Sequence, residues 1–172
     1  GWTGDHATVI GVDIPDTGLH TNATVLSAYL NMRRTDRQGD PWIAIYQLGV
    51  DNWSEEDVTW GNYDAVNTWL SHPSYSYNLS ERPLSALDVQ NGNKSGPTFN
   101  FDVTYAVQEY LREANSSGYQ GSEGLSFVLF GPDSGDEWVR FASSEEAAWT
   151  YRPRLEITYQ WGDGQAPQYV PS

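Results

Sequence analysis

The sequence of 172 residues has no cysteine, one methionine and a single lysine, Lys94. The lack of cysteine excludes disulfides, thiolate metal sites and cysteine nucleophiles. No stretch approaches the roughly 18 apolar residues of a transmembrane helix, so none is predicted. Basic residues are scarce, with nine against 23 acidic residues and a formal net charge of −14. Such a chain repels phosphate backbones, and nucleic acid is therefore not an expected partner.

Aromatic residues are plentiful, and the hydrophobic period is mostly two. Eight tryptophans and eleven tyrosines are present, and β-branched residues recur in short runs. Strands are predicted at 7–14, 23–32, 41–50, 124–130, 137–143 and 154–161, with turns between them. Residues 61–99 predict a long loop that contains one short strand. The pattern indicates an all-β fold, an antiparallel β-sandwich of jelly-roll type with one short helix.

The helix is predicted at 103–114, with Asp102 as its cap. The sandwich domain is predicted to span residues 1–161. Residues 162–172 contain two prolines and little to bury, and they predict an extended tail or linker.

Three blocks resemble the DNRLRE-type β-sandwich domains, which include an alginate-binding family of carbohydrate-binding modules and disaggregatase-type domains. The blocks are WSEEDVTWGN from Trp53, FDVT from Phe101 and FASSE from Phe141, the last followed by RPRLEITY. The resemblance implies a sandwich and a non-catalytic module. It also implies a structural role for seven residues of the blocks: Trp53, Trp60, Asp102, Phe141, Glu145, Arg152 and Pro153.

Only about six residues precede the first predicted strand, whereas members of that family carry one or two more strands there. We therefore expect an unpaired edge. Another copy of the chain can complete the edge by strand addition. The alternatives are a trimmed fragment or the chain's own tail.

The acidic run Glu55, Glu56 and Asp57 is not expected to be catalytic. Neighbouring residues of an extended chain point to opposite faces, whereas a glycosidase holds two carboxylates across a cleft. None of the three histidines lies in a catalytic or metal-ligand spacing. We predict no enzymatic activity.

An acidic polysaccharide is the predicted ligand if the chain binds sugar. Arg33, Arg34 and Arg37 cluster near a strand end and are suited to grip uronate carboxylates. The candidate aromatic platforms are Trp69, Tyr75 and Tyr77. The alternative is that the arginines pair with Asp36 and Asp40. Trp42 is interpreted as a core residue because its strand alternates.

No cofactor is expected, with calcium as the one alternative. Asp133, Asp136 and Glu137 stand close together in one predicted turn and offer oxygen ligands. Ordinary turn formation by aspartate and glycine explains the same residues.

Five Asn-x-Ser/Thr triplets indicate an extracellular or cell-surface protein. They begin at Asn22, Asn52, Asn78, Asn93 and Asn115. The sequence therefore predicts a non-catalytic subunit of a cell-surface filament, coat or adhesive structure, assembled with copies of itself. The alternative is a carbohydrate-binding module for an acidic polysaccharide such as alginate.

Overall fold

The structure is a computed structural model, and it describes residues 7–12, 23–48, 86–114, 125–131 and 137–161. Predictions that fall on other residues lie outside the described part of the chain. The described residues form eight strands, one α-helix and one short 3₁₀-helix. In chain order these are β1 (Ala7–Val12), β2 (Ala23–Gln38), β3 (Trp42–Gln47), β4 (Asp88–Asn91), β5 (Thr98–Asp102), α1 (Thr104–Ala114), β6 (Leu125–Phe130), β7 (Trp138–Phe141), the 3₁₀-helix Trp149–Tyr151 and β8 (Arg154–Trp161).

The first sheet has the strand order β1-β6-β3-β4, with every pair antiparallel. Its central strand β6 is LSFVLF, and all six of its residues are buried. A near-continuous apolar run is typical of a strand that is covered on both faces.

The second sheet is built around the long strand β2. β5 pairs with one edge of β2, while β7 and β8 pair with successive parts of the other edge. The hydrogen bonds at one peptide of β2 fix this arrangement, since the Arg33 carbonyl accepts from Ala142 and the Arg34 amide donates to Pro97. The two groups of a peptide point to opposite edges of a strand.

The core lies between the sheets and is rich in phenylalanine. Phe99, Phe101 and Phe127 are fully buried. The Phe99 ring lies edge-on to Phe141, with centroids 5.3 Å apart. Each buried aromatic of this kind contributes about 1.5–3 kcal/mol. The antiparallel two-sheet core confirms the predicted β-sandwich class.

Side chains of β4 satisfy the outer edge of β5. Asp88 Oδ2 accepts a hydrogen bond from the Asp102 amide at 3.1 Å, and Gln90 Nε2 donates to the Asn100 carbonyl at 2.6 Å. In the part of the chain that the structure describes, these two side chains take the place of a further strand. They blunt an edge that otherwise invites pairing with another chain.

The helix α1 closes one side of the core against β2. Val103, Val107 and Leu111 are buried, and Gln108 Nε2 donates to the Val25 carbonyl at 2.9 Å. Asp102 Oδ1 accepts from the Thr104 amide at 2.9 Å, which is the capping interaction of a helix start. Within the described chain, no helix is long and apolar enough to cross a membrane.

Some predicted strand boundaries were wrong, and the pairing between strands explains the difference. β2 continues to Gln38 because β7 supplies a partner for residues 34–38. The register of β2 against β8 shifts between Val25 and Ser27, so Leu26 is 56% exposed rather than in line with the core-facing Ala28. β5 lies partly in a region that we expected to be a loop. The predicted tail, 162–172, lies outside the described residues.

Candidate functional site

The outer face of the second sheet is polar and is the candidate site. Leu30 and Met32 of β2 point into the core, so the alternating residues of that strand point outward. The strand register places three rows across this surface, which we call the polar face. The rows are Asp102–Tyr29–Glu156, Asn100–Asn31–Arg154 and Thr98–Arg33.

Arg33 is the best-positioned cation of the polar face. Its guanidinium carbon lies 3.7 Å from the centroid of the Tyr151 ring. No described residue accepts a hydrogen bond from this guanidinium. Stacking restrains the side chain while leaving its N–H groups, which lie in the guanidinium plane, free for a planar anion. Arg33 is therefore prepared to receive a carboxylate.

Arg154 lies one row along the same face. Its Nε is 3.1 Å from Glu156 Oε1, and the two side chains are 56% and 58% exposed. An exposed ion pair of this kind contributes about 0–1 kcal/mol, so a ligand carboxylate can compete with Glu156 for the arginine.

Asn31 sits between Asn100 and Arg154 in cross-strand register. The residue is only 7% exposed, and its side-chain Nδ2 has no hydrogen-bond partner among the described residues. A buried amide without a partner costs free energy, and native proteins rarely retain one without a reason. The unused donor lies beneath the surface of the polar face, between Asn100 and Arg154.

The connection from β7 to β8 carries exposed aromatics beside the polar face. Trp149 is 74% exposed and belongs to the same 3₁₀ turn as Tyr151. Arg152 follows the turn, and its Nε donates to the Glu146 carbonyl at 2.7 Å. That bond fixes the turn where Tyr151 meets Arg33.

The three arginines predicted as a cluster have different surroundings. Arg34, one residue from Arg33, donates to the carbonyls of Gly92, Lys94 and Gly96 and so holds the β4–β5 turn. Arg37 donates to the Gly39 carbonyl and lies 3.2 Å from Asp40 Oδ1. Among the three, Arg33 alone belongs to the polar face. The predicted platforms Trp69, Tyr75 and Tyr77 lie outside the described residues.

Tyr151, Arg154 and Asn31 are not predicted as site residues from the sequence. Alternation along β8 places Arg154 and Glu156 on one face. However, only the register of β8 against β2 shows that this face is shared with Arg33. The stacking of Tyr151 depends on the path of the 142–153 connection, for which the sequence carries no signal.

Of the three predicted calcium ligands, the structure describes only Glu137. Glu137 Oε1 accepts from the Asp40 amide at 3.4 Å, while Asp133 and Asp136 lie outside the described residues. The described part of the chain contains no group of three acidic, histidine or cysteine side chains arranged to hold a metal. Calcium binding stays a prediction.

The remaining predicted residues are placed as follows. Phe141 packs on the core, Glu145 is exposed and Pro153 is half-buried. Asn93 is exposed in the β4–β5 turn, and its glycosylation stays a prediction. The other four glycosylation candidates, and Trp53 and Trp60, lie outside the described residues.

One carboxyl group away from the polar face has a shifted pKa. On α1, a hydrogen bond from Arg112 lowers the pKa of Glu109. The pair lies on the helix surface at 2.6 Å and serves the helix rather than the site.

One comparison with known proteins found a match, and it is to a family of carbohydrate-binding modules. The family model of carbohydrate-binding module family 96 matches residues 13–159, which include every residue of the polar face. A search of curated proteins returned no match. The family match favours the carbohydrate-binding alternative over the filament subunit. The described part of the chain contains no feature that supports assembly into a filament. The narrower DNRLRE-type and disaggregatase-type labels stay predictions.

Proposed function

Because the chain belongs to carbohydrate-binding module family 96, we propose that it is a non-catalytic module that binds an acidic polysaccharide, such as alginate, on the polar face. The observation that carries the proposal is the Arg33 guanidinium stacked on Tyr151, with N–H groups from which no described residue accepts a hydrogen bond. Arg154 supplies a second cation on the adjacent row, so two uronate carboxylates of one chain have two partners.

The net charge of −14 does not oppose this function. At physiological ionic strength, charges more than about 8 Å away are largely screened. A carboxylate in contact with Arg33 and Arg154 is affected mainly by those two groups. Binding therefore depends on the local pair rather than on the total charge.

A non-catalytic role agrees with the contacts of the acids on the polar face. Asp102 caps α1 through the Thr104 amide, and Glu156 pairs with Arg154. Both carboxylates have structural partners, unlike the acid and base of a glycosidase, which face a cleft. The proposal includes an extracellular location, which the glycosylation triplets favour.

The test is isothermal titration of the full chain with oligomers of mannuronate, guluronate and galacturonate. Arg33→Ala and Arg154→Ala are each expected to weaken binding about 10- to 100-fold, because a charge-assisted hydrogen bond contributes about 1.5–3 kcal/mol. Arg33→Lys is expected to weaken binding as well, since lysine keeps the charge but loses the planar fork.

Arg112→Ala is the matched control, because it removes the same charge from α1 and is expected to bind as the wild type does. The proposal is wrong if the wild-type protein binds none of the three uronate oligomers. It is also wrong if both polar-face variants retain wild-type affinity while remaining folded.

A further inference from the structure

A cleft of about 470 Å³ lies beside β7. It lies between β7 and the neighbouring ends of β3 and β6. All four residues of β7 line it, together with Ile43 and Leu129. Trp42 and Glu137 line it as well, and we call this space the β7 cleft. The volume is within the range of small-ligand pockets.

The backbone of β7 offers hydrogen bonds to this cleft. The Arg140 carbonyl accepts from the Thr35 hydroxyl, and the Ala142 amide donates to the Arg33 carbonyl. The even-numbered residues of β7 thus face β2, and alternation turns the N–H and C=O groups of Val139 and Phe141 to the other edge. The cleft is therefore bordered by both donors and acceptors.

Two tryptophans give the cleft aromatic surface. Trp42 was expected in the core, yet it is 46% exposed. Trp138 is held in place, since its indole N–H donates to Gln38 Oε1 at 3.0 Å and the Arg140 guanidinium lies 4.7 Å from its ring. A pyranose ring has an apolar C–H face that packs on such rings and a rim of hydroxyls that both donate and accept.

The charge of the β7 cleft differs from that of the polar face. Its lining has one acid, Glu137, and one base, Arg140, and both already have protein partners. No free guanidinium among the described lining residues is prepared for a carboxylate. Mixed backbone groups, aromatic surface and balanced charge suit a polyol without charge.

We propose that the β7 cleft is a second saccharide site, which takes one neutral pyranose unit against Trp42 and the edge of β7 that no described strand pairs with. The site does not depend on whether the polar face binds uronates. With both sites, one module would hold a charged stretch of polymer and a neutral sugar unit.

The test is a ¹H–¹⁵N NMR titration of the full chain with methyl β-glucoside, methyl β-galactoside and methyl α-mannoside. With at least one hexoside, the indole N–H signals of Trp42 and Trp138 are expected to move, and each is assigned by its loss in a Trp→Phe variant. Trp42→Ala is expected to weaken hexoside binding at least tenfold while leaving uronate binding intact. Arg33→Ala is expected to do the reverse.

Tyr105→Ala is the aromatic control, because this exposed residue lies on α1 and its loss is expected to leave both affinities unchanged. Thr8→Arg is the second variant. Thr8 is an exposed residue of the lining, and the longer side chain is expected to block the cleft without disturbing the core.

Three results would overturn the proposal. The first is that neither indole signal moves at the highest soluble concentration of all three hexosides. The second is hexoside binding that survives both Trp42→Ala and Thr8→Arg. The third is a Trp42-dependent dimer in sedimentation velocity without hexoside binding, because a strand from a second copy would then be the occupant of the β7 edge. Failure of uronate binding alone would reject the polar face and leave this proposal standing.

Discussion

The two sheets differ in the outward-facing residues of their central strands, which are β6 in the first sheet and β2 in the second. On β6 the outward residues Ser126, Val128 and Phe130 are all buried. On β2 the outward residues include Tyr29 and Arg33, and the face they share with β8 is polar and open. One sheet therefore has two covered faces and the other has one. The difference supports the choice of the polar face as the proposed binding surface.

The sequences of the two strands already contain this difference. LSFVLF is almost uniformly apolar, as expected of a strand covered on both sides, whereas AYLNMR in β2 alternates. A central strand that alternates leaves one face for polar residues and hence for ligands. Burial of β6 on both faces makes the first sheet an unsuitable place for an extended saccharide.

The largest expected effect comes from placing a charge on the covered face. Val128 is 1% exposed, so Val128→Asp buries a carboxylate without a partner. We expect a loss of about 3–5 kcal/mol in the free energy of unfolding, which is much of the stability of a typical domain. Chemical denaturation followed by circular dichroism measures it.

Thr158→Asp is the matched control on the open face, where Thr158 pairs with Ser27 and is exposed. Its expected effect is within about 0.5 kcal/mol. Equal losses of stability for the two variants would mean that the two faces do not differ in burial.

Arg33 and Arg34 extend the comparison to the two faces of one strand, β2. Arg34→Ala removes a guanidinium that bonds three backbone carbonyls of the β4–β5 turn. We expect it to lower the free energy of unfolding by about 2–3 kcal/mol and to leave uronate affinity nearly unchanged in the folded protein. Arg33→Ala is expected to do the opposite.

Chemical denaturation and uronate titration of Arg33→Ala and Arg34→Ala test whether one residue acts in binding and the other in stability. The turn held by Arg34 is also tight at Gly92, where a Cβ atom would lie 2.8 Å from the Pro41 carbonyl oxygen. Uronate binding that falls by the same factor in both variants would contradict the assignment of separate roles.

The sequence predicted the elements better than the site. Alternation and β-branched runs placed six of the strands and the helix because those signals are local. The bulge of β2 shifts the exposed position to Leu26. No strand is predicted at β5, because the alternation of Phe99 and Phe101 covers only five residues.

The site depends on register, which local patterns do not fix. Sequence neighbours Arg33 and Arg34 were expected to act together, but they lie on opposite faces of one strand. The partner of Arg33 is Tyr151, 118 positions away in the chain. Two arginines that are adjacent in the sequence therefore have different neighbours, and the contact of Arg33 is with a residue from a distant segment.

The smallest expected effect concerns the unpaired amide of the polar face. Asn31→Leu keeps the side-chain shape and removes the buried Nδ2, which has no partner in the described part of the chain. We expect the free energy of unfolding to rise by about 1 kcal/mol, because an unsatisfied buried polar group is lost. Uronate affinity should fall if the ligand uses this donor.

Asn100 offers the matched comparison, since it neighbours Asn31 across the strands but is exposed to solvent. Its own substitution, Asn100→Leu, removes no buried group and is expected to change stability by less than about 0.5 kcal/mol. A gain in stability together with lost affinity at Asn31 alone would show that the open face retains a destabilising amide for its ligand. Thermal and chemical denaturation, read beside the uronate titration, separate the two effects. A loss of stability at Asn31 would mean that the amide already has a partner within the folded chain.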